Sequence, residues 1–197
     1  MESEAQNAYI SELKNTYEFL KHKFSLSREG VIPVHFFRLR PPNFPTIRLA
    51  QLAGVYSRRS NLFSSIIEAQ SLEQLYAIFE GSTSSFWNTH YTFEKTSKSS
   101  SKTLTKAFMN LLIINTIVPI KFAFHKFNRY SNPDNDLAIT RNIPMEHNSI
   151  VDKFHSMYAF GKTALDSQAL IQLKHMYCSK NKCLQCAIGS AILNRNS

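Results

Sequence analysis

The sequence predicts an all-α fold, a compact multi-helix domain spanning 1–197 with at most a short extended segment near residues 33–39. Fifteen Phe and eight Tyr stand against only five Gly, a balance that suits packed helices better than a turn-rich β-sandwich or a disordered chain. Apolar residues recur at three- and four-residue intervals along several stretches, the period of a helix with one buried face. At 197 residues and 43% hydrophobic content the chain can bury a core without disulfide staples or structural metal.

Residues 4–24 place Tyr9, Ile10, Leu13, Tyr17, Leu20 and Phe24 on one helical stripe, expected to pack on the core. Gly30 and Pro33 end it, and Val34 to Leu39 reads as extended before the stiff Pro41-Pro42 pair. Asn43-Phe44-Pro45 starts a second helix through Ala53, because proline is tolerated in a first turn. Another short helix begins at Asn61, and Ser71 with Gln74 forms a capping-box pattern ahead of Leu75, Ile78 and Phe79, closed by Gly81. The low-complexity run TSKSSSK, Thr96 to Lys102, reads as a mobile basic loop.

The apolar stretch from Ala107 to Phe124 approaches membrane-spanning length but contains Asn110, Asn115, Thr116, Pro119 and Lys121. A lysine near a bilayer centre costs about 2.5–3.5 kcal/mol, so the pattern predicts a buried core helix and no membrane partner. That helix must stop or kink before Pro119. Asn132-Pro133-Asp134 is a turn, and Pro144 precedes a helix containing Ile150, Val151, Phe154 and Met157. Asp166 or Ser167 caps the next helix, and a last one starts near Lys182. Asn110 and Asn115 are expected to bond to backbone or to neighbouring helices. Trp87-x2-His90-Tyr91-x-Phe93 reads as core with one polar handle.

A net charge of +9 and a pI near 9.5 favour an anionic partner, a nucleic acid or another polyanion. Arg38 and Arg40 precede the proline pair, Arg48 lies on the next helix, and Arg58 and Arg59 follow its end. Together they could bracket a phosphate path, with open amides near Pro45 adding anion affinity; the alternative is a solvated helix face. The acidic, amphipathic start MESEAQNAYISELK lacks the basic head and apolar centre of a signal peptide. Three cysteines within nine positions suit a reducing compartment, so a cytoplasmic location is expected.

Cys178-x4-Cys183-x2-Cys186 has spacing near that of thiolate metal sites, and His175, one turn earlier, could supply the fourth ligand of a zinc site. His90, His147 or His155 could do so only through the tertiary fold. An iron–sulfur cluster is the alternative cofactor. Two other readings stand beside these. Free cysteines pack as small apolar residues and need no metal, and Cys183, flanked by Lys180 and Lys182 near a helix start, could pair reversibly with Cys178 or Cys186. No catalytic constellation stands out: the acids are scattered, and no Gly-rich phosphate loop, HExxH or GxSxG element occurs.

Phe37-Arg38-Leu39-Arg40-Pro41-Pro42-Asn43-Phe44-Pro45-Thr46-Ile47-Arg48-Leu49-Ala50-Gln51-Leu52-Ala53, the Trp87 to Phe93 motif, Ile114-Asn115-Thr116-Ile117-Val118-Pro119, Ser167 to Lys174, and Tyr177-Cys178 through Gly189 together resemble the C-terminal half of the bacterial family called domain of unknown function 2851. The resemblance carries no assigned activity. It implies a longer relative with a β-rich N-terminal half, containing a Gly-Pro-Asp run and a Val-Glu-Ile-His element suggestive of a nuclease-like acidic site. On that analogy this chain is a C-terminal part or shortened member, its partner is a β-rich domain or chain, and any catalytic acid lies outside it. The family pattern often has Gly where Glu94 stands and does not require His at position 175, while the three cysteines keep register. The expected roles are thus a basic helical accessory or binding domain, a fragment of a nuclease-like enzyme, or a structural interaction module.

Overall fold

Proline and short polar side chains set several of the helix starts, as the sequence leads one to expect. In the computed structural model, which describes residues 2–81, 83–128, 134–159 and 161–194, the chain is helical and has no strand among the described residues; isolated bridges join His90 to Thr96 and Pro144 to Thr163. It divides into two compact units, Met1–Leu62 with Ile78–Thr105 and Phe63–Ala77 with Lys106–Ser197.

In the first unit, α1 (Glu2–Lys23) is less buried than its stripe predicts. Tyr9 stacks on Phe86 with centroids 4.4 Å apart and accepts a 3.1 Å hydrogen bond from the Trp87 indole, but Leu13, Leu20 and Phe24 are exposed. One aromatic anchor near its start holds the helix, and the stripe beyond Tyr17 is uncovered. Pro45 opens α2 (Pro45–Tyr56), which buries Ile47, Gln51 and Val55 at four-residue spacing. The expectation of a mobile loop at TSKSSSK is corrected. Ser97 and Ser100 donate backbone bonds to Thr89 and Asn88, the Gln51 amide bonds the Lys102 carbonyl at 2.7 Å, and the buried Lys102 ammonium lies 4.0 Å from the Tyr91 ring centroid. Low complexity hid a segment in which two backbone amides, the Lys102 carbonyl and the Lys102 ammonium have partners.

The second unit begins with most of α3 (Leu62–Glu68) and of α4 (Leu72–Phe79). At the latter, Gln74 N–H donates to Ser71 Oγ and the Gln74 side chain accepts from Gln70 N–H, so the cap forms with the return bond one residue early. α5 (Lys106–Leu112) runs into a π-helical turn (Ile113–Ile117) and on into α6 (Val118–Asn128). The expected stop at Pro119 therefore takes another form. A proline ring crowds the carbonyl four residues back, and the wider turn just before it, closed by Val118 N–H to Ile113 O, makes room without ending the helix. Asn115 bonds the Leu111 carbonyl at 3.0 Å, and Asn110 accepts from the Tyr76 hydroxyl.

Along this run Met109, Ile113, Ile117, Lys121 and His125 are all buried, one per turn. By length and composition Lys106–Asn128 could cross a membrane, but here the lysine is enclosed by its own chain. Its ammonium donates to the carbonyls of Ile66, Ile67 and Ala69 at 3.0, 2.6 and 2.9 Å and lies 3.6 Å from Asp136 Oδ1, while Asp136 Oδ2 meets His125 Nδ1 at 2.7 Å. The cation thus closes the carbonyl end of α3. Asp136 lies in α7 (Asp134–Ile139); the preceding Asn132 and Pro133 of the expected turn lie outside the described residues.

α8 (Ser149–Met157) is capped by Asn148, whose side chain accepts from Ile150 and Val151 amides. α9 (Ala164–Met176) starts earlier than expected: Thr163 is its cap and Asp166 returns the bond, which holds the Asp166 carboxyl below its ordinary range. Ser167, the other expected cap, is buried and donates to the Ala164 carbonyl. α10 (Ala187–Leu193) begins after Cys186, later than Lys182.

Lys121→Met is expected to lower the unfolding free energy by about 3–5 kcal/mol, because a buried carboxylate and three carbonyls lose their cation. A urea titration reads this as a lower midpoint at unchanged slope. Burial pushes the Lys121 ammonium below its ordinary value of 10.5, with Asp136 opposing. In the interval just beneath 10.5 the unfolded chain therefore binds the extra proton, and wild-type stability relative to Lys121→Met should rise with pH there.

Candidate functional site

The cysteine triplet sits where α9 turns into α10. After Tyr177 closes α9, Cys178 opens a 3-10 turn (Cys178–Lys180), Asn181 reverses the chain at φ 53°, and a second turn (Cys183–Gln185) leads to Cys186, the cap residue of α10. Asn and short loops tolerate this left-handed step. The Cys186 amide bonds Cys183 O at 3.2 Å, and Ser190 N–H bonds Cys186 O at 2.8 Å. Gly189 is required by the packing: a Cβ there would stand 2.2 Å from Cys183 O.

Cys178, Cys183 and Cys186 all line one apolar cleft of about 280 Å³, beside Phe154, Met157 and Leu173. Cys178 and Cys183 are exposed and Cys186 is buried, each as a free thiol. His175 is exposed in the last turn of α9 and does not line this cleft. His147 is exposed and lies 3.5 Å from Asp152, His155 is on α8, and His90 belongs to the first unit. Among the described residues no group of three or more His, Cys, Asp or Glu is placed to hold a metal ion. The three cysteines share the wall of one apolar cleft, and His175 stands outside it.

The five arginines singled out in the sequence fall into two groups along the first unit. Arg38 and Arg40 precede the 3-10 turn Pro41–Asn43, and Arg48 reaches back to bond Asn43 Oδ1 at 2.5 Å while also bonding Gln51 Oε1 of its own helix at 2.9 Å. Partial burial lowers the Arg48 pKa from its ordinary value. Arg58 and Arg59 follow α2 at its other end, about 18 Å away along a 12-residue helix, where positive charge also favours the helix dipole.

Arg38 holds φ 60° in a turn closed by Leu39 N–H to Phe36 O at 3.2 Å, and its guanidinium lies 5.1 Å from the centroid of the Phe37 ring. Phe37 is 81% exposed. Sequence reading singled out the arginines and passed over Phe37; the available signal was a second consecutive aromatic in a segment with no helical period. Of the Trp87 motif, Trp87 and His90 are buried and His90 stacks on Phe86 with centroids 4.1 Å apart, whereas Phe93 is exposed.

A family model described as protein of unknown function (DUF2851) matches residues 1–149, and the chain belongs to that family. The match covers the arginine-bearing segment; the cysteine triplet follows it. No curated protein matches the chain, and no solved structure does.

Brief iodoacetamide treatment followed by mass mapping should modify Cys178 and Cys183 about tenfold faster than Cys186, in line with exposure. In Gly189→Ala the new methyl meets a backbone carbonyl that cannot yield, so α10 should lift from the turn. Cys186 is then expected to react at the rate of its neighbours while the far-ultraviolet helical signal is retained.

Proposed function

We propose, on the geometry of one exposed segment, that the chain is a basic helical accessory domain that binds single-stranded nucleic acid on the strap running from Phe36 to Arg48. The observation that carries this reading is Phe37, 81% exposed with the Arg38 guanidinium beside its ring and Arg40 two residues on. Single strands are held by aromatic faces on which bases stack and by cations that follow the phosphates. Arg38 supports the reading further, since a left-handed conformation costs a non-glycine residue about 1–2 kcal/mol and such strain concentrates at functional positions. Arg58 and Arg59 would extend the track to the far end of α2, within a cytoplasmic protein.

Binding of a labelled oligouridine should weaken linearly in log–log form with salt, and Arg40→Gln should reduce the slope by about 1. Phe37→Ala should cost about 1–3 kcal/mol of binding at every salt concentration. Arg38→Gly relieves the backbone strain, so it should weaken binding while leaving stability within about 0.5 kcal/mol. Binding that ignores salt, or survives Phe37→Ala unchanged, would remove the proposal.

A different observation favours a protein partner. Val31, Ile32 and Val34 are 68%, 79% and 54% exposed on an irregular segment, the surface an added strand of a β-rich chain would cover. Co-expression with such a chain and a metal-dependent nuclease assay test this reading together with the enzyme-fragment one: activity confined to the pair supports both, and no stable pair removes both.

A further inference from the structure

The cysteine-lined cleft does not stand alone. A second cleft of about 460 Å³ shares Phe154, Met157 and Cys178 with it. The two differ in chemistry. The first is walled by apolar atoms, with Leu173, Tyr177, Ile188 and Ile192 in its lining. The second carries polar surface, and its wall brings together Lys153 of α8 and Lys174 of α9 beside Ser149. Neither wall holds an acid among the described residues.

We infer that these two clefts, which share three wall residues, bind a single-chain anionic amphiphile, a fatty carboxylate, with its alkyl tail among Leu173, Ile188 and Ile192 and its head group between Lys153 and Lys174. The two clefts, of about 280 and 460 Å³, lie around the lower end of the ~300–1,000 Å³ of small-molecule sites. An all-apolar wall rewards removal of an alkyl chain from water and offers nothing to a polar one. Two cations on facing helices at the polar end select the sign of the head group, so charge as well as shape identifies the occupant. Ile188 and Ile192, 51% and 60% exposed, are the apolar surface such a tail would cover. Cys178, common to both clefts, lies where the chain would pass from one to the other.

Dodecanoate, dodecyl phosphate and dodecylamine, each below its micellar concentration, are titrated against the full chain by calorimetry, with Cys178 alkylation followed in parallel. Dodecanoate is expected to bind and to slow alkylation of Cys178 at least about tenfold, with dodecylamine at least about tenfold weaker. Tighter binding of dodecyl phosphate than of dodecanoate would assign the site to a phosphate-headed lipid, overturning the carboxylate. The double variant Lys153→Gln with Lys174→Gln should lose the preference for the carboxylate over the amine. Ile192→Arg, a change at an exposed position that need not disturb folding, should abolish tail binding. Equal binding of carboxylate and amine, unprotected Cys178, or binding that persists in Ile192→Arg each overturns the proposal. So does sedimentation showing a dimer that Ile192→Arg dissociates, since a second copy would then be the occupant.

Discussion

The second unit depends on one buried ammonium. Lys121 is fully enclosed, and the three carbonyls it satisfies belong to residues 66–69, some fifty positions earlier in the chain. A helix end leaves its last carbonyls without internal partners; burying them would ordinarily demand a capping residue nearby in sequence. Here a side chain from α6 does the work, and Asp136 from α7 balances the charge while His125 holds the other carboxylate oxygen. Each hydrogen bond to a charged group contributes about 1.5–3 kcal/mol, set against a desolvation cost of several kcal/mol per buried ion. The network's weight therefore lies in specificity: with three chain segments converging on one cation, few other packings of α3, α6 and α7 leave no charge stranded.

That constraint explains why α5 and α6 must be continuous. Met109, Ile113, Ile117, Lys121 and His125 face the interior at four-residue steps, and a break at Pro119 would turn Lys121 away from the carbonyls it caps. The π turn at Ile113–Ile117 reconciles a proline with an unbroken buried face. Five residues take the place of four in one loop, so the ring gains space while the stripe keeps its direction. The apolar run is long enough for a bilayer, yet its one interior charge is solvated by the protein itself.

Features set by neighbours in sequence were the legible ones. The proline start of α2, the Ser71 cap and the general helical class all follow from local chemistry. So would the start of α9, since Thr163-Ala-Leu-Asp166 is itself a hydroxyl-and-acid capping pattern, overlooked in favour of Asp166 and Ser167. What no local rule reveals is which partner arrives from far away. Residues 96–102 look mobile until Asn88, Thr89 and Gln51 are seen taking up their backbone groups, and α1 looks core-packed because periodicity says which face is apolar but not whether anything covers it. The cysteine segment illustrates the same gap at the site: its spacing does not reveal that Gly189 lets α10 close on the Cys183 carbonyl.

The family match and the clefts together separate two chemistries along the chain. The strap with Phe37, Arg38 and Arg40 falls within the matched residues 1–149, whereas the clefts are formed by residues 149–192. A surface of exposed charge and one aromatic ring works through long-range attraction and is weakened by salt. A concave apolar wall works through removal of water and is nearly indifferent to it. Because the two sites draw on different physical forces and on residues of different units, loss of one leaves the other intact. At Lys153 and Lys174 charged groups border an apolar wall, and that juxtaposition favours a charged amphiphile over an uncharged apolar one.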